Sequence, residues 1–323
     1  MADISRAVVT IATGKKLYMD MAATLARSYH HWNRGIPFIL LTDHASTVPA
    51  DIEGLEGVQV VRKALESMGR GFSIKLFLDQ LSPAAETLFI DADCLVTGPV
   101  EPVFERFRGQ SVSTVGALQS EGEWFGDIDA RCRQFDVESV PVFVGSVYYL
   151  KDDAISRQVF NQARALVPDY DELGFVRLRD VPNEEPLLSV GMALNGQEPL
   201  ADDGLLKADA MNFENSIAVD IFSGTASFDG TGSKKTSWGV THATPVIAHF
   251  NDTYTERPPY TREQSKLKRV YQDGWGKRTA AVYAWGRHQL PHAIISRVKD
   301  LGRPMYRALF GAREVQKNPR LLD

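Results

Sequence analysis

Cysteine is nearly absent from this chain: among 323 residues only Cys94 and Cys132 carry thiols. Two thiols cannot staple a small scaffold, and neither sits in the paired spacing of a zinc site. They read as reduced, partly buried side chains of a cytoplasmic protein. Long apolar runs are missing too. No stretch of 18 or more apolar residues occurs, so no transmembrane helix is expected. The start, Met1-Ala2-Asp3-Ile4-Ser5-Arg6, lacks the basic-then-apolar pattern of a secretory signal. Internal repeats and low-complexity tracts are also lacking. What remains is ordinary globular material, 44% hydrophobic and 24% charged, which excludes a disordered or collagen-like chain. The length holds one large domain or two modest ones.

The net charge of −5 conceals a division. From Arg257 to Asp323 there are 15 Lys+Arg against 5 Asp+Glu, so the rest of the chain is strongly acidic. We therefore divide the chain into a body, 1–256, and a basic, amphipathic helical C-terminal region, 257–323. Apolar stripes recur there at helical spacing: Leu267, Val270 and Tyr271, then Val282, Trp285 and Leu290, then Ile294, Ile295 and Val298. Tyr260, Tyr271, Trp275, Tyr283, Trp285, Tyr306 and Phe310 are interleaved with the cations. Aromatics mixed with cations suit an interfacial helix. The other readings are an appendage docked on the acidic body and a contact with a second copy. Nucleic-acid binding is not favoured, because the basic residues are spread over helices among apolar stripes.

The body reads as strands alternating with helices. Ala7–Ala12, Phe38–Thr42, Val58–Val61 and Thr87–Ile90 are apolar, β-rich runs, which indicates a mostly parallel sheet covered on both faces. A helix with Leu17, Met21, Leu25 and Ser28 on one face follows the first. Ser73 looks like the N-cap of a helix ending at Leu81, before Ser82-Pro83. Val140–Leu150 is a strand pair, or one strand bent at Gly145. Val246–Phe250 is a late strand, and the Gly, Ser and Thr of 223–237 predict a loop. In such sheets ligands bind beyond the carboxyl ends of the strands, where Asp43 and Asp91 lie.

Three D-x-D pairs occur: Asp91/Asp93, Asp127/Asp129 and Asp169/Asp171. The last two sit in polar, loop-like surroundings and read as solvated surface. Asp91 and Asp93 emerge from Leu88-Phe89-Ile90, and residues i and i+2 of an extended segment point the same way. Their repulsion is relieved by a divalent cation such as Mg²⁺ or Mn²⁺, which also holds phosphate oxygens. The competing reading is that they cap the helix near Pro99-Val100. The D-x-D-x-T of haloacid-dehalogenase phosphatases is excluded, because position 95 is Leu.

The run Phe72-Ser73-Ile74-Lys75-Leu76 … Leu88-Phe89-Ile90-Asp91-Ala92-Asp93-Cys94-Leu95-Val96 … Pro99-Val100-Glu101-Pro102-Val103-Phe104 resembles the heart of the GT-A nucleotide-sugar glycosyltransferases. It is most similar to the retaining group that contains glycogenin and the lipopolysaccharide galactosyl- and glucosyltransferases. The resemblance implies a Rossmann-like GT-A α/β fold, a mixed, mostly parallel sheet flanked by helices, with a C-terminal helical appendage. Lys75 stands where the family's basic residue reaches the nucleotide-sugar. Ile247-Ala248-His249-Phe250-Asn251 resembles the family's I-x-H-F/Y strand end, whose His completes the metal site with the two aspartates. Glu184-Glu185-Pro186-Leu187-Leu188-Ser189 falls where the family has D-Q-x-x-L-N against the transferred sugar, and Phe143-Val144-Gly145-Ser146-Val147 where it has F-N-x-G-V. The family's K-P-W after the His is missing.

The resemblance implies transfer of a sugar from a nucleoside diphosphate sugar, a UDP-sugar first, to an acceptor hydroxyl, with retention. Asp91, Asp93 and His249 would hold Mn²⁺ or Mg²⁺. Thr10, Ala12, Thr13, Lys75, Asp91, Ala92 and Asp93 would bind the nucleotide-sugar, and Glu184 and Glu185 are the candidate catalytic acids. The acceptor would be a glycan, a lipid-linked glycan or a small molecule, and the basic region would give a cytoplasmic enzyme a peripheral membrane contact. A pyrophosphorylase of related fold and a non-catalytic nucleotide-sugar binding module stay open as alternatives.

Overall fold

The computed structural model describes residues 4–64 and 71–311. Residues 1–3 and 312–323, the latter closing the basic region, lie outside the described residues, as do the side chains of Phe72 and Phe310. Four strands, β1 (Ile4–Ile11), β2 (Phe38–Thr42), β3 (Val58–Arg62) and β4 (Ala84–Ile90), run parallel. Next come β5 (Cys94–Val96), β6 (Val112–Ser113), β7 (Val115–Gln119), β8 (Val140–Phe143) and β9 (Val147–Lys151). The central sheet has the order β3-β2-β1-β4-β9-β6, with β9 antiparallel to β4 and β6 antiparallel to β9. The chain leaves β1 outward to β2 and β3, then returns to β4 on its other side. That reversal opens a crevice at the carboxyl ends of β1 and β4.

Both sheet faces are covered, which is why these strands are apolar along their length. Alternation sends Val8, Leu40 and Leu88 to one side, under α1 (Lys16–Trp32). Val9, Leu41 and Phe89 point to the other. The short helices α2 (Ala50–Glu53), α3 (Leu78–Leu81) and α4 (Glu101–Arg106) connect strands, and α5 (Ile128–Phe135) precedes β8. Helices α6 (Ala154–Ala165) and α7 (Glu184–Leu194) cover the second face.

Beyond α7, β10 (Leu200–Ala201) joins β7 and β8. Strands β11 (Lys207–Asp209), β12 (Ser216–Asp220), β13 (Thr225–Asp229), β14 (His242–Ala243) and β15 (Ile247–His249) follow. β12-β13-β14 is one small sheet and β11-β15-β5 another. Helix α8 (Tyr260–Tyr271) packs on α1, with Gln264 Nε2 donating to Thr24 Oγ1 (3.1 Å). After it come α9 (Lys277–Ala284), one turn of π-helix over Trp285–Gln289, and α10 (Leu290–Phe310). No helix among the described residues is long and apolar enough to cross a membrane.

Three local expectations change. Ser73 is not at the start of an α-helix: it lies inside a 3₁₀ helix over Gly71–Phe77, and the stretch becomes α-helical only at Leu78. The stretch 140–150 is two strands in different sheets, parted by the turn at Val144-Gly145-Ser146. The expected loop 223–237 contains β13, whose pairing with β12 overrides the weak β-propensity of its small residues. Cys94 and Cys132 are both buried free thiols.

Helix α7 lies close to α6 because residue 191 is Gly: a Cβ there would stand 2.5 Å from the Val159 carbonyl oxygen. Gly191→Ala forces the helices apart, so we expect a loss of about 1–3 kcal/mol, read as a lower Tm, although Ala is the better helix former.

Candidate functional site

Register builds the centre of the site. In β11-β15-β5, Asp209 lies beside His249 on the parallel neighbour, and His249 lies opposite Cys94. The Phe250 N–H donates to the Asp93 carbonyl (3.1 Å), which draws the D-x-D segment onto the end of β15. His249 Nε2 is 3.3 Å from Asp93 Oδ1, and His249 Nδ1 is 2.6 Å from Asp209 Oδ1. Residues 93 and 249, far apart in sequence, therefore meet beyond the carboxyl end of β4. The cap reading fails, since the N-cap position of α4 is Val100, whose N–H is taken by Asn33 Oδ1 (2.8 Å) and by neither aspartate. Asp127 and Asp169 with their D-x-D partners are exposed, as expected.

The two aspartates divide their work. Asp93 faces His249. Asp91 faces Lys75, whose Nζ donates to Asp91 Oδ2 (2.8 Å) and to the Gly145 carbonyl (2.8 Å), and lies 3.1 Å from Glu184 Oε1. Asp93, Cys94 and His249 present donor atoms within 4.8 Å of one another, a group that does not include Asp91. Burial raises the Cys94 thiol well above its usual range, which leaves Asp93 and His249 as the better donors in that group.

The electrostatics follow from burial and crowding. Burial alone would lower the Lys75 pKa, but the charges of Asp91 and Glu184 outweigh it and hold the ammonium protonated. Burial lifts the Asp91 carboxyl and the Asp93 charge lifts it further, while Lys75 opposes both; the 2.8 Å contact decides for the ion pair. Burial would also lower His249, but the Asp93 charge and its bonds to Asp209 and Asp93 push it up to about 10. Burial works to raise Asp209, yet Lys207 and His249 bring it down to about 2.

Glu184 and Glu185 open α7, capped by Asn183, whose Oδ1 accepts from the Glu185 N–H (2.7 Å). Glu184 is buried, accepts from the Tyr148 hydroxyl (3.3 Å) and leaves Oε2 without a protein partner. Glu185 Oε1 accepts from the Gly145 N–H (2.8 Å). Burial, followed by the Glu184 charge, pushes Glu185 up to about 8. Thr10, Ala12 and Thr13 end β1 beside this crevice. Thr10 and Ala12 are buried, Thr13 is half-buried, and the Thr10 hydroxyl has no partner in the protein. Ala92 is half-buried between the aspartates. A cavity of about 480 Å³ opens nearby, lined among others by Gly14, Lys15, Met19, Ser46 and Thr47.

The sequence reading missed Lys207, Asp209 and Tyr148. A lysine and an aspartate two apart on an Ala-spaced strand were the available signal for the first two. The turn at Val144 works through its backbone: the Val144 carbonyl accepts from Lys207 (2.7 Å).

The fold is that of the GT-A glycosyltransferases. The solved structures similar to it include the galactosyltransferase LgtC, determined in complex with donor and acceptor sugar analogs, at a TM-score of 0.52 and 14% identity over 86% of this chain and 94% of that one. The bifunctional glycosyltransferase WbbM gives 0.54 at 10% identity, covering 89% of this chain and 52% of that one, so this chain spans about half of WbbM. Mouse xyloside xylosyltransferase 1 gives 0.50 at 13% identity, covering 78% and 99%. No family model and no curated protein sequence matches the chain.

Asp43 ties the two loops beside the cavity together. It accepts from the N–H groups of Gly14 (3.0 Å), Ala45 (2.8 Å) and Ser46 (2.6 Å) and from the Ser46 hydroxyl (3.0 Å). Burial opposes its ionisation, but these donors hold the carboxyl below the usual range. A depressed native pKa adds stability that is present above the unfolded value, near 3.8, and lost as pH falls through the native one. Asp43→Asn should cost about 1–3 kcal/mol at neutral pH. The Tm gap to the parent should narrow as pH drops from 6 to 3, in a thermal melt series.

Proposed function

We propose that this protein is a metal-dependent glycosyltransferase that moves a sugar from a nucleoside diphosphate sugar, a UDP-sugar by preference, to an acceptor hydroxyl, with retention. The observation that carries the reading is the meeting of Asp93 and His249 at 3.3 Å, beside the Lys75–Asp91 pair, at the switch point of a GT-A sheet. The donor set fits a divalent cation. Carboxylate oxygens and an imidazole suit Mn²⁺ or Mg²⁺, and Nε2 faces Asp93 because Nδ1 is engaged by Asp209. Asp93 and His249, with Asp91 on the Lys75 side, would hold the ion. When bound it supplies a Lewis acid for the charge that develops on the departing diphosphate.

The chain's own residues do the rest. In the transfer, the bond from the anomeric carbon to the diphosphate oxygen breaks, a bond to the acceptor oxygen forms, and the acceptor proton leaves to a base. Lys75, held protonated, places a fixed positive charge where the leaving group gains negative charge. Thr10, Ala12 and Thr13, with the 480 Å³ cavity alongside, take the nucleoside end of the donor. Glu184 and Glu185 face the sugar, and the unpaired Glu184 Oε2 accepts from a sugar hydroxyl. Glu185, neutral near pH 7, donates one hydrogen bond there. The anomeric centre becomes oxocarbenium-like, which nearby acids stabilise.

The test is turnover of a UDP-, GDP- and ADP-sugar panel with and without Mn²⁺, read as nucleotide release. Asp93→Ala and His249→Ala should each lower kcat/KM by about 100-fold or more, and Lys75→Met comparably. Rates equal to the parent in Asp93→Ala would remove the metal-site claim. Donor binding without turnover would return the protein to the binding-module reading.

The acceptor side brings in α10. Ile294, Val298, Leu301 and Leu309 lie on one arc of this helix and are 55%, 64%, 82% and 68% exposed. Lys299, Arg303 and Arg307 occupy the opposite arc. Our reading is that α10 lies on an anionic membrane surface, with a glycan or lipid-linked acceptor at the cytoplasmic face. Full-length protein should co-sediment with phosphatidylglycerol vesicles, and Ile294→Glu/Leu301→Glu should release it while leaving its Tm within a few degrees. Equal sedimentation of the two proteins would defeat this.

A further inference from the structure

A lysine and an aspartate are buried on β11, each 2% exposed or less, whereas the buried polar side chains of the other described strands are Thr, Ser and His. Two charges out of water are costly, and well-packed apolar residues of the same size would stabilise the fold as well or better. Their partners suggest what they do. Asp209 Oδ1 lies 2.6 Å from His249 Nδ1. A carboxylate oxygen at that distance accepts, so Nδ1 carries the hydrogen of this contact and Nε2 is the atom presented to Asp93. Lys207 Nζ reaches Asp209 Oδ2 (3.2 Å), Ser146 Oγ (3.2 Å) and the Val144 carbonyl (2.7 Å). Ser146 Oγ in turn donates to Asp209 Oδ1 (3.3 Å). Asp209 is thus fixed from two sides before it meets the imidazole.

We propose that Asp209 and Lys207 are positioning residues for His249: Asp209 sets the ring so that Nε2 faces Asp93, and Lys207 anchors Asp209 to the 144–146 turn. The proposal rests on the metal-site reading above and deepens it. Neither residue touches the donor or the ion. Their effect passes through the imidazole, as it does wherever a metal-bound histidine donates its other ring N–H to a carboxylate.

The probe is Mn²⁺ in the presence of UDP, titrated into the full chain and followed by the electron paramagnetic resonance signal of the free ion. Lys207→Met/Asp209→Leu removes both charges together, so the fold is expected to survive, with a Tm near that of the parent. Its Mn²⁺ Kd should rise about 10–100-fold. Asp209→Asn keeps an oxygen that accepts from Nδ1–H and should lie between the two proteins. In a His249→Ala background, where UDP and Asp93 keep a residual affinity, Lys207→Met/Asp209→Leu should cause no further loss. A merely structural pair would instead leave Kd unchanged, or weaken it equally in both backgrounds, and either result overturns the proposal. If the double variant fails to fold, Asp209→Asn in the two backgrounds gives the same comparison. If the parent itself binds no Mn²⁺, the metal reading fails and the proposal with it. If the parent binds and the variants match it, only the positioning claim fails.

Discussion

Crowded negative charge is the constraint on which this structure turns. Asp91, Asp93, Glu184, Glu185 and Asp209 gather around the crevice at the ends of β1 and β4, and Lys75, Lys207 and His249 face them. The acids outnumber the bases even with the imidazole protonated. In surroundings that screen poorly, such an excess has to be relieved. The protein relieves it by wedging Lys75 between Asp91 and Glu184, by placing Lys207 on Asp209, and by keeping a proton on Glu185, whose pKa is near 8. Under the proposed function, a divalent cation and a bound nucleotide-sugar would settle the same field. A site of this kind is costly to keep without a ligand, and for that reason the acids read as functional rather than as leftover surface.

The turn Val144-Gly145-Ser146 holds the two halves of the site in step. The Asp91 N–H donates to the Ser146 carbonyl (2.9 Å), and Lys75 reaches the Gly145 carbonyl. Glu185 takes the Gly145 N–H, and Lys207 the Val144 carbonyl. Gly145 cannot carry a side chain, since a Cβ would stand 2.3 Å from the Tyr148 hydroxyl and 2.9 Å from Glu185 Cγ. A backbone segment that binds through its N–H and C=O groups tolerates changes in its side chains. Val144 therefore costs the architecture little, even where the resemblance would place a polar residue.

That contrast explains how much could be read in advance. The parallel strands and the D-x-D delivered by β4 were legible, because apolar runs and strand ends leave strong local patterns, whereas the return of His249 on β15 was read from the family resemblance. The partition of Asp91 to Lys75 and of Asp93 to His249 was not, because the extended segment expected at Asp91-Ala92-Asp93 is a turn, closed by the Cys94 N–H on the Asp91 carbonyl (3.1 Å), which sends the two acids to different partners. Lys207-Ala208-Asp209 went unread, since a lysine and an aspartate two apart say nothing by themselves about burial. The strand at Thr225–Asp229 was hidden by its small residues, and Ser73 was credited with opening an α-helix that begins only at Leu78.

The charge division of the chain has two physical meanings, one at each end of the basic region. On α8 the cations turn inward. Lys266 Nζ donates to Glu263 Oε2 (2.9 Å) and Asp220 Oδ1 (2.7 Å), and Glu263 Oε2 also accepts from the Ile221 N–H (3.0 Å), so this helix is locked to the β12–β13 hairpin. That is the appendage docked on an acidic body. On α10 the pattern inverts. The helix meets the rest of the protein chiefly through the π-helical turn before it, and both its apolar arc and its cations are exposed. Docking by charge alone would have turned those cations toward the body and would not need an apolar stripe. An exposed apolar stripe of this kind marks an interaction surface. A single composition signal, the excess of Lys and Arg after Arg257, therefore resolves into a structural clamp and an exposed helix, and the membrane proposal rests on the second alone.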